Sequence, residues 1–410
     1  MQAPARVISS PSASAAPAAN ENAPATANAH ACDAMEVHTE ESSAESEARE
    51  QSNVDEVLVS EQKLVTYLKQ MSQQPSTSQQ HSTIAYPASA SDACDTSTWR
   101  ARFDFLMQHA IMGRSEDLRK AKLSRLYTRT LPQSQPQACP AFVVTIPRSK
   151  VNTEGRKEVG IAARHKNVEA CPVGALALFF YERWHTRKEP FPNFSSRASW
   201  YHLMLLTDCE DDAVEGSGVT WDDQAQVLKK AFSDLGIATS NVTHAMRGGG
   251  ARMAFERGCS EDSIRKHGRW TAGGDQLIER YLTGVALQPV RALAGFSAGG
   301  GDYWLPRTLV EPPLALQQQL WPEIEEAETT IKERHRTGGE TDQAALNFLA
   351  LLKWLRTVML QDAACLRHQY EGLPIWSMPP FDTTAFGTFA SALTAAMSAA
   401  VSPIEVTITQ

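Results

Sequence analysis

The sequence predicts a mainly α fold with a small antiparallel β-sheet, an α+β arrangement, over residues 96–300. Apolar residues recur at helical spacing through most of this region, with capping residues at several predicted helix starts. One β-type apolar run, residues 141–146, precedes a polar turn and a second short run, residues 159–162. This pattern predicts a hairpin, and the helical spacing elsewhere predicts that the sheet is small.

The predicted helices follow one another along the chain. The first covers residues 103–111 and continues over residues 118–126 after a break at Gly113. Thr220 and Ser260 are expected to cap two of the later helices, and Gly268 is expected to end one. These later helices are predicted at residues 172–187, 199–206, 221–235, 243–256, 260–268 and 275–282.

Residues 301–410 are predicted to form a helical C-terminal extension. Two long helices are expected there, at residues 317–336 and 341–370. The second is apolar on nearly all sides between residues 346 and 359, so it must be buried against something. Packing on the preceding domain and a homodimer through the C-terminal helices both satisfy this requirement.

Residues 1–95 are predicted to form a disordered acidic tail. They carry 4 Lys and Arg against 13 Asp and Glu, and they contain few large apolar residues. Such a composition cannot bury enough surface to offset chain entropy. Residues 101–280 carry 26 basic against 21 acidic residues, although the whole chain has a net charge of -8. The middle of the chain is therefore compatible with phosphate binding.

Several classes of protein are excluded by the residues that the sequence lacks. The seven cysteines form no C-x-x-C pair, which argues against a zinc site and a disulfide framework. There is no secretory signal and no bilayer-spanning segment, so we expect a soluble intracellular protein without a membrane partner. Nucleotide-binding, zinc-protease and serine-hydrolase motifs are also missing. We expect no cofactor, no metal and no small-molecule substrate.

A set of polar residues stands in an order that points to phosphate chemistry. His244 and Arg247 are three residues apart, so a helix places them on one face. Arg114 begins a helix far upstream, and Lys150 borders the turn of the predicted hairpin. In chain order the set is Arg114, Lys150, His244, Arg247, Trp270 and Tyr281.

This order resembles the tyrosine recombinases, and longer motifs narrow the resemblance. The motifs are Lys150-Val151-Asn152, Arg164-His165-Lys166, the run from Cys171 to Ala177, Gly268-Arg269-Trp270, Tyr281-Leu282-Thr283, Ala294-Gly295-Phe296, the run from Gly301 to Arg307, and Leu360-Gln361-Asp362-Ala363-Ala364. These motifs are similar to those of the family of the fungal centromere-DNA-binding kinetochore subunit (domain II) and the Crypton mobile elements that share its fold. The resemblance covers residues 96–381 and implies a tyrosine-recombinase catalytic-domain-like fold, a double-stranded DNA partner and a nuclear location.

The resemblance implies a role for each polar residue. Arg114 and Arg247 would clamp the scissile phosphate and offset the charge gained in the transition state. Lys150 would be the general acid, and His244 would steady the phosphate or accept a proton. The indole of Trp270 would contact the phosphate, and Tyr281 would be the nucleophile. The DNA-binding residues implied in this way are Arg114, Arg148, Lys150, Arg247 and Arg269.

Two questions about the polar set stay open in the sequence. Arg269, Trp270 and His267 are all candidates for the third phosphate-facing position, and Trp270 equally fits a core aromatic residue. The glycines at residues 248–250 weaken a helix, so the backbone must approach either DNA or another helix closely there.

Three functions are compatible with these observations. We favour DNA binding without efficient cleavage, because the kinetochore branch binds without cleaving. In addition, an acidic tail stands where active recombinases have an N-terminal helical domain that completes the DNA clamp. The alternative is an active Crypton-type recombinase that forms a 3′-phosphotyrosyl intermediate. A third is an interaction protein that acts through residues 346–359.

Overall fold

The computed structural model describes residues 97–132, 136–146, 158–207, 218–234, 242–270 and 285–400. The strands are β1 (Leu126–Leu131), β2 (Cys139–Ile146) and β3 (Glu158–Ala163). The helices are α1 (Ser97–Ala110), α2 (Ser115–Arg119), α3 (Pro172–Tyr181), α4 (Trp221–Asp234), α5 (Ala245–Glu256), α6 (Glu261–Gly268), α7 (Leu287–Leu293), α8 (Leu314–Gln317), α9 (Glu323–Arg336), α10 (Gln343–Arg367) and α11 (Thr384–Ala399). The predicted fold class, mainly α with a small antiparallel sheet, is confirmed. The predicted tail and the helix at residues 275–282 lie outside the described residues.

The three strands form one antiparallel sheet in the order β1-β2-β3. Val143 of β2 pairs with Tyr127 on one side and with Ile161 on the other. Phe142 and Val144 face the main core, whereas Val143 and Ile161 belong to a second cluster on the opposite face. Burial of β2 on both faces explains its nearly unbroken apolar sequence.

The hairpin and both predicted caps are confirmed, but the first helical prediction was partly wrong. Thr220 and Ser260 accept the backbone N–H groups of Asp223 and Ser263 at 3.2 and 3.4 Å. The helix expected to continue over residues 118–126 instead ends at Arg119, and the chain turns into β1. Threonine and tyrosine in this strand favour an extended backbone, and pairing with β2 stabilises it.

Two other helical predictions were wrong because tertiary contacts decide the backbone there. Residues 199–206 form turns, in which Trp200 Nε1 and Tyr201 Oη donate to the Asp342 carboxylate, each at 3.0 Å. The helix expected at residues 317–336 is interrupted between α8 and α9. Pro322 lies at this interruption, where its missing N–H prevents an uninterrupted helix.

α10 lies in the main core of the protein. Leu349, Leu352 and Leu355 are at most 1% exposed, and the helix contacts β1, α3, α9 and α11. The apolar surface predicted to need a partner is therefore covered by elements of the same chain. The homodimer through the C-terminal helices and the domain boundary at residue 300 stay predictions.

Several motif residues meet in an ion cluster that we call the buried junction, formed by Arg164, Arg307 and Asp362. Arg164 Nη2 and Arg307 Nε both donate to Asp362 Oδ1, at 2.6 and 2.8 Å. The three side chains are only 3–4% exposed. A β-carbon on Gly174 would lie 2.3 Å from Asp362 Oδ2, so glycine is required where α3 passes the cluster. These motif residues connect the end of β3 with α10 and the turn at Pro306–Thr308.

Candidate nucleic-acid interface

Three segments converge on the side chain of Arg247, near the start of α5. Arg247 Nη1 donates to the carbonyl oxygen of Met112 at 2.7 Å, in the α1–α2 connection. Its Nη2 donates to the carbonyl oxygen of Gly268 at 2.5 Å, at the end of α6. The ring of Trp270 lies against the guanidinium, with 4.2 Å between Cζ and the ring centroid. All of these partners are neutral, so they fix the guanidinium without cancelling its charge.

Arg269 lies beside Arg247 and forms an ion pair with Asp117 of α2. Arg269 Nη2 donates to Asp117 Oδ2 at 2.8 Å, and the two side chains are 6% and 2% exposed. The same carboxylate oxygen accepts the backbone N–H of Arg114 at 2.9 Å, as a capping residue does at the start of a helix. Asp117 therefore holds both the beginning of α2 and Arg269. Whether Arg269 contacts DNA stays a prediction.

Arg114 immediately precedes α2 and is half-buried. Within the described part of the chain its guanidinium makes no hydrogen bond and no ion pair. Its positive charge nevertheless lowers the pKa values of Arg247 and Arg269, so the three cations are close together. We call Arg114, Arg247, Arg269 and Asp117 the arginine site.

The arginine site carries more positive than negative charge. Burial, together with the charges of Arg269 and Arg114, lowers the pKa of Arg247 to about 9. Burial likewise lowers the pKa of Arg269. Asp117 and Glu158 act in the opposite direction on both arginines. Glu116 also interacts with the charge of Arg114, but it is paired with Lys120. Of the remaining charges, three guanidiniums face two carboxylates, and an anion between them would be attracted.

The two candidate histidines occupy different environments. Nε2 of His267 lies 2.9 Å from the carbonyl oxygen of Ala110, to which it donates, and the residue is buried. Burial lowers the pKa of His267 to about 4, so the ring is neutral at pH 7. His267 therefore supports the arginine site from inside. His244 is exposed in the position before α5, whereas Arg247 in the same turn is buried.

The conformation at the end of α6 depends on Gly268. A β-carbon on Gly268 would lie 1.7 Å from the Trp270 ring, so another residue would displace the ring from Arg247. Arg269 follows with a φ of 58°, in the left-handed region, which ends the helix. Trp270 thus packs against an arginine of the site, and its predicted contact with a phosphate stays a prediction.

The glycine run in α5 has two distinct surroundings. A β-carbon on Gly250 would lie 2.6 Å from the carbonyl oxygen of His109, so this glycine permits α5 to approach α1 closely. A β-carbon on Gly248 would meet no atom of the described residues within 4 Å. Among the described residues, therefore, none packs against the backbone at Gly248 next to Arg247.

The structure brings together only part of the predicted set. Arg148, Lys150 and Tyr281 lie outside the described residues, so their predicted roles stay predictions. Asp117 was missed as a site residue, although an acidic residue at the third position of a helix is a capping signal. The position of Glu158 near Arg247 depends on tertiary structure, and no local sequence pattern predicts it.

Comparison with known proteins establishes the family. Residues 38–387 match the family described as the centromere DNA-binding protein complex CBF3 subunit, domain 2. The chain belongs to this family. The resemblance inferred from the motifs is confirmed at this level, while the narrower link to Crypton elements stays a prediction. No curated protein matches the chain.

Solved structures similar to this chain include two Holliday-junction complexes. One is an FLP recombinase complex, with 14% sequence identity and a TM-score of 0.40, covering 79% of this chain and 72% of that chain. The other is a complex of a mutant Flpe, with 12% identity and a TM-score of 0.40, covering 80% and 73%.

The described ranges contain no cluster of His, Cys, Asp and Glu residues able to hold a metal ion. No helix in them is long and apolar enough to cross a membrane.

Proposed function

We propose that this chain is a nuclear protein that binds duplex DNA through the phosphate backbone, at the arginine site, without efficient cleavage. The family's description as a centromere DNA-binding subunit supports DNA as the partner. The observation that carries the proposal is the guanidinium of Arg114, which has no partner in the described structure and lies beside the buried cations Arg247 and Arg269.

A phosphate group matches this arrangement chemically. Its oxygens accept paired hydrogen bonds from a guanidinium, and its charge offsets the excess positive charge of the site. Arg247 is already held by Met112, Gly268 and Trp270, so little side-chain entropy is lost when it acts on a ligand. In this proposal Arg114 contacts the phosphate directly, while Arg247 and Arg269 supply the surrounding positive potential.

Binding without efficient cleavage is preferred to strand transfer because cleavage needs more than attraction of a phosphate. The phosphate must be held in line with a nucleophile and a general acid, and such positioning is a large part of the rate. The alternative, an active Crypton-type recombinase, is favoured by the proximity of Arg114 and Arg247. It would additionally require Tyr281 as nucleophile and Lys150 as general acid.

The first experiment measures binding of the full chain to a fluorescent duplex over a series of salt concentrations. We expect affinity to fall steeply with salt, because phosphate contacts release counterions. Arg114→Gln should weaken binding about tenfold and lower the salt slope by about 1. The matched control is Arg336→Gln, which removes an exposed arginine that pairs with Glu333 on α9. Equal effects of the two substitutions, or salt-insensitive binding, would contradict the proposal.

The second experiment separates a binding protein from an enzyme. The full chain is incubated with nicked duplexes that trap a covalent intermediate, and the products are separated on denaturing gels. We expect duplex retention without an adduct, and Tyr281→Phe should leave affinity unchanged. An adduct that forms with the native chain and disappears in Tyr281→Phe would make the recombinase the correct function.

A further inference from the structure

A dense run of cations follows α2 directly. Residues 119–129 contain five basic residues and no acidic residue, in a chain whose net charge is -8. Two of the five have partners: Arg119 donates to Gln224 Oε1 at 3.2 Å, and Lys120 donates to Glu116 Oε2 at 3.0 Å. The function proposed above does not use any of these residues.

The other three cations form a group that we call the β1 strip, made of Lys122, Arg125 and Arg129. Their side chains make no ion pair and no hydrogen bond with any residue that the structure describes. Arg129 is exposed, and Lys122 and Arg125 are partly exposed. Burial lowers the pKa of Arg125, and no carboxylate acts against this shift. A partly desolvated guanidinium without a counter-charge is unfavourable unless a ligand supplies one.

The chain path places the beginning of the β1 strip near the arginine site. Lys122 follows Arg114 by eight residues, five of which form α2. Helical rise and the maximum extension of the other three residues limit their Cα–Cα distance to roughly 18 Å. The same duplex can therefore reach both residues.

The sheet register places Arg125 near the arginine site independently. Leu126 pairs with Val144, which pairs with Gly160, so Arg125 and Glu158 lie toward the same end of the sheet. The distance across the three strands is about 10 Å. At this end Gly160 packs directly on Ile111, because a β-carbon on it would lie 2.9 Å from Ile111 Cδ1.

This contact connects the sheet to the arginine site. The carbonyl oxygen of Ile111 accepts a hydrogen bond from Arg269, and that of Met112 accepts one from Arg247. Glu158 also acts electrostatically on both arginines. The end of the sheet next to Arg125, which directly precedes β1, is thus attached to the backbone that holds the arginine site.

We infer that Lys122, Arg125 and Arg129 form a second phosphate-binding surface, which extends the grip of the arginine site along the same DNA duplex. The inference rests on the proposed function and adds residues to it. Three unpartnered cations that continue from a cationic site match a polyanion with regularly repeated charges better than a single anion. The rival occupant is the acidic segment of residues 1–95 of this chain, which carries 13 Asp and Glu against 4 Lys and Arg.

The test compares two triple variants of the full chain that remove the same charge. One is Lys122→Gln, Arg125→Gln and Arg129→Gln. The control is Lys229→Gln, Lys332→Gln and Arg336→Gln, which changes exposed cations on α4 and α9. Affinity for a fluorescent duplex is measured over a salt series, and thermal melting verifies that both variants fold like the parent.

We expect the β1-strip variant to bind at least about tenfold more weakly at 0.1 M salt, with a salt slope lower by about 2 to 3. Hydroxyl-radical footprints should lose protection at one end of the site and keep the rest, while the control variant behaves like the parent. If the β1-strip variant instead matches the control while Arg114→Gln still weakens binding, the inference is wrong and the proposed function stands. If the native chain shows no salt-dependent binding, both are wrong.

A second measurement tests whether the acidic segment of residues 1–95 binds the β1 strip instead of DNA. It uses the native chain, so it also applies if the β1-strip variant unfolds. A carbodiimide forms an amide bond between a carboxylate and an amine that lie within ion-pair distance of each other, and Lys122 supplies the amine. The full chain is cross-linked in this way with and without duplex DNA, and peptide mass spectrometry identifies the residues that are joined. We expect duplex DNA to protect Lys122 from acylating reagents in the native chain. Cross-links from Lys122 to the acidic segment that persist in the presence of DNA would overturn the inference.

Discussion

The buried junction and the arginine site use the same residue types in opposite ways. In the junction, Arg164 and Arg307 share the Asp362 carboxylate at 2.6 and 2.8 Å. Arg164 also donates to Gln361 at 2.6 Å, and Arg307 donates to the carbonyl oxygen of His165 at 2.5 Å. Burial opposes the charge of Asp362, yet the two guanidiniums keep its pKa lowered. The junction is therefore a structural cluster in which both cations are bound to the carboxylate.

In the arginine site the Asp117 carboxylate forms an ion pair with only one of the three guanidiniums. Asp117 pairs with Arg269, Arg247 is held by neutral groups, and Arg114 has no partner in the described ranges. The difference shows why a count of arginines alone does not identify a binding site. What distinguishes the two clusters is the balance of cations and carboxylates, together with the exposure of the unpaired cation.

The largest effect is expected at the junction. Asp362→Asn would leave two buried guanidiniums without a counter-charge, which should lower the free energy of unfolding by about 3–5 kcal/mol. Denaturant unfolding followed by circular dichroism measures this change. Glu333→Gln is the control, because its ion pair with Arg336 is exposed and should contribute less than about 1 kcal/mol. A loss at Asp362 no greater than the control would show that the junction is not a cooperative cluster.

The next effect concerns pH and tests the support beneath the arginine site. The pKa of His267 is lowered to about 4 in the folded state, against 6.5 for the free residue. His267 thus makes its full contribution to the free energy of unfolding above pH 6.5. This contribution, at most about 3 kcal/mol, is lost as the pH falls through about 4. His267→Gln, which keeps a neutral donor for Ala110, should flatten stability over this range. The exposed His202→Gln is the control, and an equal slope in both variants would contradict the assignment.

A smaller effect is expected for Asp117→Asn, the counterpart of the change in the junction. Asparagine can still accept from the Arg114 backbone and from Arg269, and only one guanidinium loses its counter-charge. The free energy of unfolding should fall by about 1–3 kcal/mol, less than for Asp362→Asn. Because the site becomes more positive, duplex affinity should be unchanged or higher. Loss of DNA binding in a folded variant would contradict the importance of excess charge.

Local sequence patterns predicted the elements whose signals are local. The β2–β3 hairpin and the caps Thr220 and Ser260 followed from alternation and from capping residues. Apolar spacing also fitted a helix through Leu126, but pairing with β2 makes this residue the start of β1. The turns at residues 199–206 depend on Asp342, which is more than a hundred residues away. Elements that are stabilised by distant partners cannot be predicted from spacing alone.

The candidate site shows the same division. The resemblance to the tyrosine recombinases associated Arg114 with Arg247, and the structure brings them together. The sequence did not distinguish Arg114, whose guanidinium has no partner in the described part of the chain, from Arg269, which is paired with Asp117. That distinction depends on which side chain reaches the carboxylate of α2. It is a property of packing between α2 and the end of α6.

The most direct test of the account pairs Arg114 with individual phosphates. A series of duplexes, each with one neutral methylphosphonate linkage, is titrated with the native chain and with Arg114→Gln. We expect one or two adjacent positions where the neutral linkage weakens DNA binding by the native chain about tenfold but does not weaken binding by Arg114→Gln further. If the two changes are instead additive at every position, Arg114 contacts no phosphate, and the central claim is wrong.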